Sequence, residues 1–165
     1  MEFALTHPND LKKLIVVDMG IKRYTGGHEE IFEALRSVDL SQIHYRSDAE
    51  KILLEKIHEF GVRQFLLKSL HRLENGTYEW KFNLEALYNN YSDNILSAIN
   101  SSHVYIGETL FISGGNSNYI TRQDWPAIEM QFPNAKWSVV QGAGHWVHAD
   151  KPEELLEVLG GFLGT

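Results

Sequence analysis

The sequence contains no cysteine in 165 residues, which excludes disulfides, thiolate nucleophiles and thiolate metal sites together. That composition fits a reducing compartment, and the expected location is the cytoplasm. No apolar run approaches the ~20 residues that a membrane-spanning helix needs, so no membrane span is expected. The first residues carry an acid at Glu2 and break at Pro8, unlike a signal peptide. Positive charge is scarce: 15 Lys and Arg stand against 22 Asp and Glu, a net charge of −7 that repels a phosphate backbone and argues against nucleic acid as a partner. Gly114-Gly115 is followed neither by Gly-Lys-Ser/Thr nor by a third spaced glycine, so no nucleotide loop and no cofactor is implied. Also missing is any Gly-x-Ser-x-Gly, the turn on which nucleophilic serines are commonly presented.

What is present suffices for a folded core, since 43% of the residues are hydrophobic. Leu14-Ile15-Val16-Val17 is an uninterrupted apolar run of strand type, the pattern of a strand covered on both faces of a parallel sheet, and Asp18 closes it. Before it, residues 1–7 read as helix without a capping residue ahead of them, stopped by Pro8. After it, residues 20–27 read as loop, and helical patterns run over Glu29–Val38, Asp48–Phe60 and Val62–Leu70, with Ser47 or Asp48 as cap and Gly61 as stop. Residues 73–82 predict a hairpin around Asn75-Gly76, followed by helices at 84–91 and 93–99. Strand and helix alternation then returns: a strand at 109–113, a turn Gly114-Gly115-Asn116-Ser117, a helix at 124–132, a strand at 137–140, and a final helix with Asp150 as cap candidate and Pro152 in its first turn, ending near Leu163. The pattern predicts an α/β fold with a parallel sheet in residues 1–20 and 101–165, interrupted by a mainly helical insertion over residues 21–100.

Sites in open α/β sheets gather at the carboxyl ends of the strands, and Asp18, Asn116 and His145 each fall at such an end. A carboxylate at one imidazole nitrogen fixes the tautomer and stabilises the imidazolium formed when the other nitrogen takes a proton. Asp18 and His145 are therefore the candidate catalytic acid and base. Taken singly, His145 reads equally as a hydrogen-bonded loop histidine and Asp18 as a turn-former. His145 and His148 also lie three residues apart, the spacing of a metal pair, but no carboxylate pattern accompanies them and no metal site is expected. The aromatic residues Phe60, Phe65, Tyr78, Trp80, Phe82, Tyr88 and Tyr91 either line an apolar cleft or form the insertion's own core. The acids Glu29, Glu30 and Glu33 read as a solvated helix face.

Four segments in order carry a resemblance: Val17-Asp18-Met19-Gly20, Gly61-Val62-Arg63-Gln64-Phe65-Leu66-Leu67-Lys68-Ser69, Gly114-Gly115-Asn116-Ser117-x-Tyr119-Ile120, and Gly142-Ala143-Gly144-His145-Trp146-Val147-His148-Ala149-Asp150-Lys151-Pro152. Together they resemble the carboxyl-terminal two-thirds of α/β-hydrolase-fold serine esterases of the bacterial YbfF-like family. The resemblance implies that the three strands are the sixth to eighth of an eight-stranded sheet and that residues 21–100 form a lid. It also implies a small-molecule ester substrate, with His145 as general base and Asp18 as triad acid. Asp124 is the fallback acid, because the turn after the second strand carries Asn116 and Ser117 in place of an aspartate. The nucleophile elbow of that family would precede Met1, so the chain alone is expected to be inactive. An open sheet edge at residues 14–17 is expected to favour self-association or pairing with an amino-terminal half. The alternative is a non-catalytic fragment or pseudoenzyme that binds a ligand or partner, or half of a split enzyme.

Overall fold

The computed structural model describes residues 1–99 and 101–164. The chain forms two compact units, Met1–Arg23 with Ala98–Thr165, and Tyr24–Ser97. Asn100, the expected end of the insertion, lies outside the described residues. Ile21 and Ile99, which sequence patterning places inside the insertion, pack with the α/β unit, and the Ile99 amide donates to the Ile21 carbonyl at 2.9 Å.

The α/β unit starts with helix α1 (Glu2–Thr6), a 3-10 turn at Pro8–Asp10, and strand β1 (Lys13–Val17). Its sheet has three strands, all parallel, in the order β1, β4 (Glu108–Gly114), β5 (Ala135–Val140). Register pairs Val16 with Phe111 and Phe111 with Trp137 on one face, and Ile15 with Leu110 on the other. The pleat sorts these residues into two cores. Leu14, Val16 and Phe111 pack with Ala4 and Leu5 of α1 and with Ile128 of α6 (Trp125–Gln131). Leu110, Ile112 and Val140 pack with Val147 and Leu155 of helices α7 (Val147–Asp150) and α8 (Pro152–Leu163).

Central strand β4 is buried from Thr109 to Gly114, as both faces are covered and both edges are paired. The expectation that β1 is covered equally fails. Only Val16 of that strand is buried and Val17 is 39% exposed, because β1 pairs with β4 along one edge alone.

The helical unit has its own core, built from Ala34 and Leu35 of α2 (Glu29–Ser37), Ala49 and Leu53 of α3 (Arg46–Leu54), and Leu67 of α4 (Phe60–Leu67). The expected helix over 48–60 is broken at Leu54, and Gly61 sits in the first turn of α4 instead of stopping α3. The break holds because the buried Arg63 guanidinium donates through Nη1 to the carbonyls of Ile57 (2.9 Å) and His58 (2.8 Å), which the missing helical turn leaves open. Asp48 is not the cap of α3. It lies in the first turn and accepts from the amides of His44 and Tyr45 just ahead of the helix.

The hairpin also shifts, to β2 (Leu70–Arg72) and β3 (Tyr78–Trp80), with Gly76 at φ 88 in the turn. Leu70 thus ends up in a strand, not in the preceding helix. Helix α5 (Leu84–Asn90) runs into a π-helical turn at Tyr91–Ile95 in place of the expected helix over 93–99. Tyr78, Trp80 and Phe82 pack on the unit's core, and Phe32 makes edge contacts with Tyr88 and Tyr91, while Phe60 and Phe65 are exposed. Among the described residues no helix is long and apolar enough to cross a membrane.

Candidate active site

The carboxyl ends of all three parallel strands meet. Asp18 follows β1 directly, at φ 48, a left-handed conformation that Asp tolerates better than most residues. Its amide donates to the Ile112 carbonyl of β4 at 2.6 Å. The side chain turns inward and has no solvent exposure. A buried carboxylate costs several kcal/mol unless donors replace its lost water. Asp18 receives them from three directions: the Gly114 amide at Oδ1 (3.1 Å), and at Oδ2 both the Ser117 hydroxyl (2.5 Å) and His145 Nδ1 (2.8 Å).

The turns after β4 and β5 are laced together through their backbones. The Gly115 amide donates to the Val140 carbonyl and the Asn116 amide to the Ala143 carbonyl, each at 2.9 Å. Their approach is so close that a Cβ on Gly114 would lie 2.1 Å from the Gly144 carbonyl oxygen and 2.6 Å from that of Ala143. Gly142, at φ 79, supplies the left-handed turn that leads into this contact.

His145 follows. Its ring stacks on Tyr119, with centroids 3.8 Å apart and planes 15° from parallel, and its side chain is 41% exposed. With Nδ1 engaged by the carboxylate, Nε2 is the nitrogen left to exchange a proton. Asp150, expected as the cap of α8, instead accepts from the Gly144 amide at 2.7 Å and so holds the loop just before His145.

Asp18 and His145, chosen from sequence, are therefore in direct hydrogen-bond contact across 127 residues of chain. Asn116 contacts neither directly and reaches the His145 loop through its backbone amide, which donates to the Ala143 carbonyl. His148 is exposed on α7, and among the described residues no group of three or more His, Cys, Asp or Glu is placed to hold a metal ion. The fallback acid Asp124 is engaged elsewhere. It accepts from the Thr121 amide (2.8 Å) and hydroxyl (2.7 Å) and pairs with Lys22 at 2.7 Å. Burial raises its carboxyl, but Lys22 and the Thr121 donors outweigh burial and hold it below the usual carboxylate range.

Sequence reasoning missed Ser117 and Tyr119 as neighbours of the pair, and Asp150 as an anchor. The signal lay in the two small-residue turns, Gly114-Gly115 and Gly142-Ala143-Gly144, which read together mark two backbones in contact.

No protein-family model matches the chain. Individual relatives do. The Escherichia coli esterase YbfF is 36% identical over 154 residues, covering 93% of this chain and 58% of that protein. The Danio rerio sn-1-specific diacylglycerol lipase ABHD11 is 36% identical over 170 residues, covering 99% of this chain and 53% of its own length. A solved marine microorganism esterase superposes with a TM-score of 0.90 at 36% identity, over 97% of this chain and 64% of that one. The chain has an α/β-hydrolase fold and is similar over nearly its whole length to YbfF-like esterases. It spans about half the length of the curated relatives it matches. In this chain the sheet is the parallel three-stranded one described above, and the Asp18–His145 contact lies at its carboxyl end.

Two outcomes follow from the geometry. Gly114→Ala forces the turns after β4 and β5 apart and destabilises the fold by about 1–3 kcal/mol, measured by urea unfolding, with the amide signals of residues 142–146 shifting most in NMR spectra. Asp124→Asn costs about 1–2 kcal/mol at pH 7. Because the folded-state carboxyl is held low, that contribution is present above the ordinary carboxylate range and is lost as pH falls through the folded value. The gap in melting temperature between wild type and Asp124→Asn therefore closes on acidification and persists at neutral pH.

Proposed function

We propose that the chain supplies the acid and base of a Ser-His-Asp carboxylic-ester hydrolase, with the nucleophilic serine contributed by residues outside these 165. One observation carries this reading: a fully buried carboxylate holds Nδ1 of a solvent-reachable imidazole at 2.8 Å. In the proposed reaction His145 Nε2 takes the serine proton as its oxygen attacks the ester carbonyl. Asp18 stabilises the imidazolium, which then protonates the departing alkoxide. Water repeats the sequence in reverse roles to free the acid. Neither Ser113, at the end of β4, nor Ser117, in the turn after it, suits the nucleophile's part. The Ser113 hydroxyl accepts from the Trp137 indole at 2.9 Å, and that of Ser117 is directed to Asp18.

The esterase and lipase names of the relatives support a small-molecule ester as substrate. We assign residues 24–97 the role of a substrate-selecting lid, a role their independent core permits. The unpaired edge of β1 is proposed as the joint for an amino-terminal segment or, without one, for a second copy of the chain. A cytoplasmic setting accords with the lack of cysteine.

The test is hydrolysis of p-nitrophenyl acetate and butyrate, with fluorophosphonate labelling, by the purified 165-residue chain and by the longest in-frame product of its gene. The isolated chain is expected to be inactive, unlabelled and larger than monomer mass on size exclusion. The longer product is expected to be active and labelled at a Gly-x-Ser-x-Gly serine, and to lose on the order of 10⁶-fold in kcat with His145→Ala. A labelled serine in the isolated chain overturns the external nucleophile. A gene product without His145-dependent turnover overturns the hydrolase reading in favour of a binding role.

A further inference from the structure

The hairpin tip Asn75-Gly76 carries reactive groups in close order. Asn75 is the only asparagine of the chain that a glycine follows, and it is exposed. Its carboxamide is held in place: Oδ1 accepts from the Thr77 amide at 3.0 Å and from the Thr77 hydroxyl at 2.7 Å. The first of these bonds closes over Gly76 and so keeps the carboxamide carbon beside the Gly76 nitrogen. Gly76, at φ 88 and without a Cβ, leaves that nitrogen unshielded.

When a nucleophile adds to a carboxamide carbon, negative charge gathers on the carboxamide oxygen. Both Thr77 donors are aimed at that atom of Asn75, in the manner of an oxyanion hole. The nucleophile at hand is the Gly76 nitrogen, which reacts once it has lost its proton. The Arg72 guanidinium, whose Nε donates to the Gly76 carbonyl at 3.4 Å, favours that loss by its charge. Otherwise the Gly76 amide donates to the Leu73 carbonyl at 2.9 Å, a bond at an exposed hairpin tip that opens by fraying.

We infer that Asn75 is a site of self-modification, with Thr77 as the assisting group. The Gly76 nitrogen bonds to Asn75 Cγ, the carboxamide C–N bond breaks, and the carboxamide nitrogen leaves as ammonia with the proton that Gly76 gave up. Water then opens the cyclic imide at either carbonyl, giving aspartate or isoaspartate at position 75. Both products place a negative charge near Arg72. The isoaspartate form also routes the main chain through the former side chain, which adds a carbon between the Leu73 amide and the Thr77 carbonyl that now meet at 2.8 Å. The β2–β3 hairpin, which brings Tyr78 and Trp80 onto the core of the helical unit, loosens in consequence. None of these steps involves Asp18 or His145.

The experiment incubates the full chain at mildly alkaline pH and follows position 75 by peptide mass spectrometry, with methylation by an isoaspartyl O-methyltransferase as the assay for isoaspartate. Acid is expected to accumulate at position 75 ahead of every other asparagine, and the methyl-accepting fraction to rise with it. Thr77→Val is expected to slow the conversion by about five-fold, while Thr77→Ser keeps the wild-type rate, with melting temperatures showing that each variant is folded. Asn75→Gln, whose carboxamide carbon lies too far along the side chain for ready ring closure, is expected to accept no methyl group at this position. A chain that stays unmodified at position 75 while a free peptide of residues 70–80 converts overturns the inference, because the turn then protects Asn75. Equal rates in wild type and folded Thr77→Val also overturn it, since the conversion is then that of any exposed Asn-Gly.

Discussion

A carboxylate with no access to water governs the α/β unit. At the end of β1 the Asp18 side chain is satisfied by the backbone of one turn, the hydroxyl of the same turn and an imidazole from another. Two of these groups come from the turn after β4 and one from the loop after β5, and they constrain where both strands must end. The Gly114 amide sets the end of β4 level with Asp18, and the His145 donor sets the height of the loop after β5. The buried carboxyl group therefore acts here as a specification of register, on top of the register that apolar alternation already imposes on the two faces.

The backbone meets that specification by dispensing with side chains. At Gly114 and Gly144 two main chains approach within a distance that no Cβ allows, so carbonyl and amide groups pair across the gap without intervening atoms. Behind this contact sit Val147, fully buried in one of the two sheet cores, and Asp150, which draws in the Gly144 amide. The loop that carries His145 is thereby tied at its base by backbone, at its flank by a carboxylate and at its far end by packing. A histidine so supported keeps a defined direction despite its exposure.

Much of this was readable from residue order, and the exceptions have physical causes. Strand type, parallel pairing and the Asp18–His145 partnership follow from apolar runs that end in polar residues. The helix break at Leu54 was not readable, because what sustains it is a buried guanidinium bonding two carbonyls, a tertiary contact that overrides local pattern. The partial cover of β1 was missed because a fully apolar strand looks the same in sequence whether one edge or two are paired. Asp150 was misread because an acid ahead of Pro152 fits a helix cap in isolation, and only the neighbouring loop reveals its other acceptor role. Ser117 and Tyr119 carry no motif of their own and acquire meaning only once β1 and β5 bring Asp18 and His145 beside them.

The hydrogen bond between the Ile99 amide and the Ile21 carbonyl, followed by that from the Tyr24 amide to the Leu96 carbonyl, closes the chain on itself between β1 and β4. Everything beyond this neck is, to the sheet, a single long loop whose ends are already fastened. Loop-closure entropy grows only slowly with length, by about 0.6 kcal/mol for each doubling. Evolution can therefore lengthen, trim or replace the inserted helices at small thermodynamic cost to the parallel sheet. The turns that hold Asp18 and His145 keep their geometry through such changes.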